Sequence, residues 1–481
     1  MPEIFINGHS VQAADSQSVL EAARASGHFI PYFCWHPKLS VAGNCRICVV
    51  QVEGRSWVEI ACNMPVTEGL RVFTDSDLVK AHRKMVMQFL TLNHPVDCGI
   101  CDKAGECTLQ DYHYAFNGAP SVSVERKVHS TKFHDLSERI VLDNERCILC
   151  SRCVRFTHEI SKSSALGIKH RGDESLVRAS EDGALDRDPY SDNVIDICPV
   201  GALLSRPFLY KARVWYLQPT PSVCPGCARG CTVNLWHRKP TWRLKALDPG
   251  QNVSIARVTP LENPAVNGPW ICNKGRDLAQ IFERPRAEEP MLKGKPVALP
   301  AAIAAARTLI GAAKRPVALV SSWGSNEELA AFGTAFGGRF ASFVKEDWAP
   351  AAGEPLEDAL LIRADKNPNT AAARALFPPL PKPAAPAFPA DTDLVLVWGE
   401  GCNFADLPAK ARIIFVNSYL QPENGHADVF FAASIQTERR GHYTNFEGVV
   451  SAFEPCFPKP PGAVDAEALF GALAMEMATQ S

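Results

Sequence analysis

The sequence has no apolar run long enough to cross a membrane and almost no net charge. Its most apolar stretch, residues 301–313, is too short for a span and contains Arg307. The formal net charge is -2 over 481 residues, so no global field favours nucleic acid or an anionic membrane surface. The first residues, MPEIFINGHS, lack the basic segment and apolar run of a signal peptide. We therefore expect a cytoplasmic protein with no membrane span of its own and no nucleic-acid partner.

Disulfide bonds are not expected either, although the chain has 17 cysteines. Disulfide frameworks are typical of small secreted domains, whereas a reducing cytosol keeps thiols unpaired. All but two of the cysteines lie between Cys34 and Cys272, and only Cys402 and Cys456 lie beyond. This uneven distribution favours metal ligation in one half of the chain. We interpret Cys402 and Cys456 as small buried apolar side chains.

The apolar pattern of the N-terminal part predicts a small α+β module. Strands are predicted over residues 3–6, 11–13 and 45–52, a hairpin turn at Asn7-Gly8, and a short helix over residues 18–26. A second helix, capped by Asp75 or Ser76, is predicted to end near Asn93. Its expected apolar face consists of Leu78, Ala81, Met85, Phe89 and Leu92.

The second half of the chain reads as an α/β layer arrangement. Short buried strands are predicted over residues 315–321, 393–398, 411–416 and 427–432, between helical stretches. A proline-rich stretch, expected to be an extended linker or surface strap, contains Pro378, Pro379, Pro381, Pro383, Pro386 and Pro389. Gly399-Glu400-Gly401 follows a predicted strand, where a turn is favoured over a nucleotide-binding loop.

The first candidate ligand set is Cys34, Cys45, Cys48 and Cys62. A C-x2-C pair with one cysteine upstream and one downstream is similar to the plant-type [2Fe–2S] pattern, although the first gap is longer. Gly43 and Asn44 permit a tight loop whose backbone N–H groups can point at sulfur. Zinc is the alternative, but four-cysteine zinc sites often carry two C-x2-C pairs and only one occurs here.

The second set is His94, Cys98, Cys101 and Cys107. Three cysteines leave a four-iron cluster one ligand short. His94 lies four residues before Cys98, just past the predicted helix end, and imidazole is an acceptable iron ligand. A lone histidine is more often an ordinary surface group. Because no ligand set lacks a member near them, His36, His82 and His113 are interpreted as structural.

The third set is Cys147, Cys150, Cys153 and Cys198, the last followed by Pro199. Three cysteines at C-x2-C-x2-C spacing can wrap one corner of a cubane, and a remote Cys-Pro can close it, so one [4Fe–4S] cluster fits. Arg146, Arg152 and Arg155 interleave with these ligands. They are either solvated surface groups or a positive charge that raises the potential of an anionic cluster.

The fourth set is Cys224, Cys227, Cys231 and Cys272, in a turn-rich C-x2-C-x3-C loop with a distant last member. Zinc remains an alternative here. Fifteen cysteines plus His94 make four complete sets of four ligands. The sequence therefore predicts one [2Fe–2S] and three [4Fe–4S] clusters, which favours an electron relay over a catalyst.

In this order the motifs resemble the large iron–sulfur (G-type) subunit of bacterial respiratory complex I. The segments PYFCWHPKLSVAGNCRICVV and HPVDCGICDKAGECTLQD match that family closely. The set of one histidine and three cysteines is shared mainly with relatives in NAD-linked hydrogenases and formate dehydrogenases. The resemblance is strong over residues 1–280 and weak beyond.

The resemblance implies an electron-transfer subunit of NADH:quinone oxidoreductase, a translocase in which this chain is the relay. Electrons would arrive from NADH through a flavin subunit and leave toward quinone through other peripheral-arm subunits. The complex would hold the chain at the cytoplasmic side of the inner (plasma) membrane. The Cys224 set matches an additional cluster thought to lie off the main path. Residues 220–280 also resemble the start of molybdopterin oxidoreductases, where Lys274 would lie between cluster and pterin.

The resemblance implies the following division. A ferredoxin-like [2Fe–2S] β-grasp domain covers 1–76, a histidine-plus-three-cysteine segment 77–118, a ferredoxin-like [4Fe–4S] domain 119–216, a molybdopterin-oxidoreductase-type [4Fe–4S] domain 217–285, and a reduced α/β molybdopterin-oxidoreductase-like domain 286–481. The last is shorter than the family pattern, although ADKNPNTAA at 364–372 and ERRGHYTNFEGVV at 438–450 are retained. We therefore expect no functional molybdopterin.

Three other functions stay open on the sequence. One is the diaphorase-type electron-transfer subunit of a soluble NAD-linked hydrogenase or formate dehydrogenase. Another is a molybdopterin catalytic subunit, for which Cys402 is the candidate metal ligand. The last is a zinc-stapled interaction protein without a redox role.

Overall fold

The computed structural model describes residues 1–241, 253–350, 353–354, 356–382 and 388–474. The chain divides into two compact units, Met1–Tyr216 and Leu217–Ser481. Both units contain helices and strands, which confirms the mixed fold at the coarse level. Within the described ranges, no helix combines the length and the apolar character needed to cross a membrane.

The N-terminal unit contains one five-stranded sheet and several smaller ones. Its strands are β1 (Glu3–Ile6), β2 (His9–Gln12), β3 (Val49–Val52), β4 (Val58–Ile60), β5 (Arg71–Phe73), β6 (His134–Asp135), β7 (Ile140–Leu142), β8 (Leu166–Lys169), β9 (Leu176–Ala179) and β10 (Leu203–Ser205). Its helices are α1 (Val19–Ala25), α2 (Asp77–Leu92), α3 (Thr108–Tyr112), α4 (Arg152–Glu159), α5 (Ala184–Arg187) and α6 (Asn193–Ile197). The strand orders are β2-β1-β5-β3-β4, β10-β7-β6 and β8-β9.

The predicted hairpin is confirmed, since Asn7 and Gly8 both have positive φ and join β1 to β2. The second strand begins at His9, two residues earlier than predicted, because it pairs with β1 directly from the turn. The strand predicted over residues 45–52 is wrong in its first half. Arg46 has φ 58°, which extended backbone excludes, so the chain is a loop until β3 begins at Val49.

Helix α2 has the predicted bounds and Ser76 cap, but the predicted buried face is wrong. Phe89 is 68% exposed and Met85 43% exposed, whereas Val79 and Arg83 are buried. Arg83 Nη2 donates a hydrogen bond to the carbonyl of Val49 in the sheet, at 2.9 Å. Apolar periodicity missed this face because a buried arginine helps to form it.

The C-terminal unit is built around a seven-stranded sheet. Its strands are β11 (Leu217–Val223), β12 (Thr232–Arg238), β13 (Ile255–Pro260), β14 (Met291–Leu292), β15 (Lys295–Pro296), β16 (Pro316–Ser321), β17 (Ala341–Lys345), β18 (Leu394–Trp398), β19 (Arg412–Asn417), β20 (Val429–Ala432), β21 (Gly441–Thr444) and β22 (Val450–Phe453). Its helices are α7 (Leu278–Phe282), α8 (Leu299–Ala312), α9 (Asn326–Phe336), α10 (Thr370–Leu376), α11 (Pro422–His426) and α12 (Ala466–Ala474).

The large sheet has the order β15-β14-β20-β19-β18-β16-β17, and the five strands from β20 to β17 are parallel. The four strands predicted in this half are therefore confirmed, with ends shifted by one or two residues. Strand β17 was not predicted, because it lies at the edge and its residues are only partly buried. Helices α9 and α12 contribute Phe332, Phe336 and Phe470 to the core on one face of the sheet.

The proline-rich stretch begins as an extended strap, as predicted. The amide of Val344 in β17 donates to the carbonyl of Pro378 at 2.8 Å, and the amide of Leu380 donates back to Val344 at 2.7 Å. Pro383 and Pro386 lie outside the described residues. The turn predicted at Gly399-Glu400-Gly401 is confirmed, because both glycines have positive φ and an added Cβ at Gly399 would meet Asp347 Oδ1 at 2.1 Å.

Candidate iron–sulfur cluster sites

The first ligand set converges beside the five-stranded sheet. Cys34 follows α1, Cys45 and Cys48 lie in the loop before β3, and Cys62 lies in the turn after β4. The sulfur atoms form two hydrogen-bonded pairs, Cys34 with Cys45 and Cys48 with Cys62. Cys34, Cys48 and Cys62 are each 1% exposed, so these three thiols are shielded from solvent.

Backbone N–H groups point at the sulfurs of this first set. The amides of Asn44 and Cys45 donate to Cys34, and the amide of Ile47 donates to Cys45. The hydrogen bond from the Cys45 thiol is the main cause that lowers the pKa of Cys34 to about 5, and the same bond raises the pKa of Cys45. A loop that stabilises thiolate in this way fits an iron–sulfur cluster, which is held by thiolates.

The second set lines one cavity between the end of α2 and the start of α3. Its wall includes all four members of the set, His94, Cys98, Cys101 and Cys107, together with Arg146 and Gly201. Burial, followed by Arg146 and Lys127, lowers the pKa of His94 to about 4. The imidazole is therefore neutral at physiological pH, which is the form that ligates metal.

Gly201 shows how closely the backbone approaches this second set. A Cβ placed on Gly201 would lie 2.1 Å from Cys101 Sγ and 3.3 Å from Lys103 Cβ. No side chain fits there without displacing the cysteine. Arg213 secures the same loop, because its Nη1 donates to the carbonyl of Cys101 at 2.6 Å. Neither residue was predicted from the sequence. A glycine three residues after Cys198 was the available signal for Gly201, whereas Arg213 carries none.

The third set also surrounds one cavity. Its four cysteines, Cys147, Cys150, Cys153 and Cys198, all contribute to the wall. Leu149 and Ser151 have positive φ, so the chain curls around the cavity, and the amide of Leu149 donates to Cys147 Sγ at 3.4 Å. Burial raises the pKa of Cys147 to about 12 and that of Cys150 to about 11. These thiols need a cationic partner to ionise at neutral pH, and iron is such a partner.

The three interleaved arginines are not solvated surface groups, which overturns the simpler interpretation. Arg146 is 1% exposed, Arg152 is 8% exposed and Arg155 is half-buried. Arg152 Nη1 donates to the carbonyl of Ile197, next to Cys198, at 3.1 Å. Their positive charges therefore lie within the protein beside the ligand loops, where solvent screens them little.

The third site is in direct contact with both of the others in this unit. Toward the first site, Arg155 donates to the carbonyls of Cys34 and Cys150, the latter at 3.4 Å, and Asn44 donates to the carbonyl of Leu149 at 3.1 Å. Toward the second site, the amide of Thr108 donates to the carbonyl of Pro199 at 3.0 Å. The loops of the third ligand set thus contact the loops of both the first and the second.

The fourth set lies in the C-terminal unit. Cys224 directly follows β11, and Cys231 directly precedes β12, at the two ends of the turn that joins these strands. The amide of Cys224 donates to the carbonyl of Cys231 at 2.8 Å. Cys272 precedes a short helical turn, and burial raises its pKa to about 11. A Cβ on Gly275 would contact Cys224 Sγ at 3.5 Å and Cys272 Sγ at 3.8 Å. Cys227 is close enough to Cys224 and Cys272 to raise the pKa of both.

Lys274, the residue expected beside a pterin, is engaged within its own unit. Its Nζ lies 2.5 Å from Glu354 Oε1 and 5.9 Å from the ring centre of Trp348. Cys402 and Cys456 were predicted to be buried and are half-buried. In the ranges that the structure describes, no three His, Cys, Asp or Glu side chains are arranged to hold a single metal ion.

Comparison with known proteins matches each ligand set to a family of iron–sulfur domains. Residues 2–77 match a 2Fe-2S iron-sulfur cluster binding domain, and residues 83–119 match the NADH-ubiquinone oxidoreductase-G iron-sulfur binding region. Residues 137–204 match the ferredoxin-like domain of NADH-quinone oxidoreductase subunit 3. Residues 217–284 match the molybdopterin oxidoreductase Fe4S4 domain. Over its iron–sulfur region, this chain is similar to the G-type iron–sulfur subunits of NADH-quinone oxidoreductases.

Individual relatives agree with this assignment. Mitochondrial NADH dehydrogenase [ubiquinone] iron-sulfur protein 1 of Solanum tuberosum is 38% identical over 61% of this chain and 38% of its own length. The G-type subunit of NADH-quinone oxidoreductase from Rickettsia typhi is 35% identical over 61% of this chain and 41% of its own length. The 75 kDa subunit of NADH-ubiquinone oxidoreductase from Reclinomonas americana is 36% identical over 61% and 40%. The match thus spans about two fifths of the length of these relatives.

A solved structure is also similar in part. The crystal structure of NAD+-reducing [NiFe]-hydrogenase in the H2-reduced state contains a chain 30% identical to this one. The match covers 44% of this chain and 91% of that one, with a TM-score of 0.41.

Proposed function

We propose that this chain is an iron–sulfur electron-transfer subunit of an NADH:quinone oxidoreductase. It holds one [2Fe–2S] cluster on the Cys34 set and [4Fe–4S] clusters on the His94, Cys147 and Cys224 sets. A bound cluster supplies one-electron transfer. The protein's own contribution is to hold the ligand loops at fixed, short separations and to set the charge around them.

The observation that carries this proposal is the contact of the third ligand set with the other two. Arg155 bridges the loops of Cys34 and Cys150, and the segment after Cys198 contacts the loop of Cys107 through Pro199 and Thr108. A protein that used its metal sites only to stabilise the fold would not need their ligand loops to be in contact. An electron relay does need this contact, because the rate of electron transfer falls steeply with distance. We propose that electrons pass through the ligand sets in the order first, third, second.

The finer architecture is part of the same proposal. The sheet β2-β1-β5-β3-β4 with α1 packed on it supports a β-grasp ferredoxin domain over residues 1–76. We propose the further domains 77–118, 119–216, 217–285 and 286–481.

The C-terminal unit is proposed to serve packing and assembly, without functional molybdopterin. A pocket lies at the carboxyl ends of β16, β18, β19 and β20, lined in part by Arg284, Glu328, Glu400 and Arg439. Each of its arginines already pairs with a carboxylate, Arg284 with Glu400 at 3.0 Å and Arg439 with Glu328 at 2.7 Å. This pairing leaves no uncompensated cation there for the phosphates of a pterin cofactor.

The proposed partners are a flavin subunit that oxidises NADH and the other peripheral-arm subunits, which hold the chain at the cytoplasmic face of the membrane. The related alternative is the diaphorase module of a soluble NAD-linked hydrogenase or formate dehydrogenase. Under this alternative, the chain would have the same ligand sets and different partners.

Two measurements on a tagged full-length chain test the proposal. Co-purification in mild detergent should recover flavin-subunit homologues together with many-spanning hydrophobic subunits. Recovery of a flavin subunit with a hydrogenase or formate dehydrogenase would favour the alternative. Anaerobic elemental analysis should find iron with acid-labile sulfide. Zinc without sulfide would refute the relay, and molybdenum would refute the assignment of the C-terminal unit.

A further inference from the structure

Arg146 occupies the junction between the second and third ligand sets. It precedes Cys147 in the sequence, yet its side chain lines the cavity of His94, Cys98, Cys101 and Cys107. The side chain is 1% exposed and is among the largest fully buried side chains of the described residues. A guanidinium remains charged at any physiological pH, so this cavity has a permanent positive charge in its wall.

The hydrogen bonding of Arg146 is incomplete. Nη2 donates to Asp97 Oδ2 at 3.0 Å, and Nε lies 3.2 Å from Asp143 Oδ2. Nη1 is buried, and no described residue accepts a hydrogen bond from it. A buried charged donor without an acceptor is costly, so a native protein is expected to supply an acceptor.

The need to neutralise Asp97 and Asp143 does not explain why an arginine is buried at this position. Lys132 Nζ lies 2.5 Å from Asp97 Oδ2 and 3.8 Å from Asp143 Oδ2, so both carboxylates already have a second cation nearby. Asp97 accepts from Nη2, whereas Nε and Nη1 both lack a hydrogen-bond acceptor among the described residues, so a group in the cavity that Arg146 lines can still accept from this side chain. A sulfide of an iron–sulfur cluster is an anionic acceptor of the required kind.

We propose that Arg146 Nη1 donates a hydrogen bond to a sulfide of the second cluster and thereby raises its reduction potential. The inference rests on the proposed function, since it requires a cluster on the His94 set. Arg146 is a tuning residue: it stabilises the more negative, reduced form of the cluster and transfers neither electron nor proton. Asp97 and Asp143 act through it by fixing the direction of the guanidinium.

The direct test uses the unaltered full-length chain, loaded anaerobically with iron and sulfide and labelled with ¹⁵N only in arginine. The electron paramagnetic resonance signal that His94→Cys alters belongs to the second cluster. Pulsed hyperfine spectroscopy of that signal should show coupling to arginine nitrogen. A second-cluster signal without this coupling would overturn the inference and leave the proposed function standing. A chain that binds iron and sulfide at no second site would overturn both.

Substitution tests the effect on potential. Arg146→Gln should lower the midpoint potential of the second cluster and leave the first cluster unchanged, and Arg146→Lys should restore part of the shift. The double variant Arg146→Gln/Asp143→Asn avoids an unpaired buried carboxylate and should also show the lower midpoint. Arg139→Gln is the matched control, because Arg139 pairs with Asp192 at 2.7 Å and does not line the cavity. An assembled second cluster with an unchanged midpoint in Arg146→Gln would overturn the proposal.

Discussion

Arg155 donates a hydrogen bond from Nη2 to the backbone carbonyl of Cys34. The same nitrogen lies 3.4 Å from the carbonyl of Cys150, so one guanidinium links a ligand of the first set to a ligand of the third. Its charge also helps to lower the pKa of Cys34 and opposes the rise in that of Cys150. A side chain that belongs to neither ligand set therefore links the loops of these two sites.

Replacing Arg155 by alanine should slow electron transfer between the first and third clusters while both still assemble. Hydrogen bonds from a charged donor contribute about 1.5–3 kcal/mol each, so their loss should loosen the contact between the loops. Rapid-freeze electron paramagnetic resonance after addition of reductant would time the reduction of each cluster. Arg171→Ala, at an exposed loop position, is the control. Equal reduction rates in both variants would show that Arg155 does not set the separation.

Exchanging His94 for cysteine should keep the second cluster but lower its midpoint potential. Burial and neighbouring cations keep this imidazole neutral, whereas a cysteine would ligate as an anionic thiolate that favours the oxidised cluster. A redox titration followed by electron paramagnetic resonance measures the shift, and His82→Cys on α2 serves as the control. An unchanged midpoint and line shape would argue against ligation by His94.

Gly201→Ala should abolish the second cluster and leave the third in place. The added Cβ would lie 2.1 Å from Cys101 Sγ, so the cysteine must move out of its ligand position. Overpacking of this kind costs about 1–3 kcal/mol. Iron and sulfide analysis should therefore show the loss of one cluster per chain. Gly167→Ala, where an added Cβ meets nothing within 4 Å, should retain all clusters. Full cluster content in Gly201→Ala would contradict the assignment of Cys101.

Cys224→Ser should remove the fourth cluster without stopping electron transfer. The other three ligand sets form a contiguous group within Met1–Tyr216, whereas Cys224 lies in the second unit. Iron content and NADH-driven quinone reduction are measured on the assembled complex. Cys150→Ser, in the third set, whose loops contact both the first and the second, is the control that should stop quinone reduction. A large loss of activity in an assembled Cys224→Ser complex would place the fourth cluster on the main path.

Acid should loosen the attachment of α12 to the large sheet. Burial alone would raise the pKa of Asp465, but the donors Lys459, at 2.5 Å, and Ser434, at 2.7 Å, lower it below the ordinary range. A lowered folded-state pKa stabilises the fold above the ordinary aspartate value of about 3.9, and the stabilisation is lost as the pH falls through the folded-state value.

Hydrogen exchange of α12 peptides, corrected for the intrinsic pH dependence, should therefore quicken on acidification. In Asp465→Asn this change should be smaller, whereas the exposed neighbour Glu467→Gln should behave as the parent protein. The same acid response in Asp465→Asn would assign the effect to another group.

The sequence alone predicted the composition of the ligand sets. Short spacings such as those of Cys147, Cys150 and Cys153 bring sulfurs together through local backbone geometry, and the missing fourth ligand pointed to His94. The strands of the large sheet were also readable, because a buried parallel strand is a continuous apolar run. Local signals failed where a polar side chain is buried, as at Arg83 on α2.

Only the tertiary structure decided how the sites relate to one another. Arg155 reaches Cys34 across more than a hundred residues, and Gly201 meets Cys101 over a similar interval. Such contacts depend on how separate segments pack, and residue spacing does not encode that packing. For the same reason, the sequence does not distinguish Arg146 from the other charged residues that lie beside a ligand. Folding buries it at the junction of two sites, with its side chain in the wall of the second cavity.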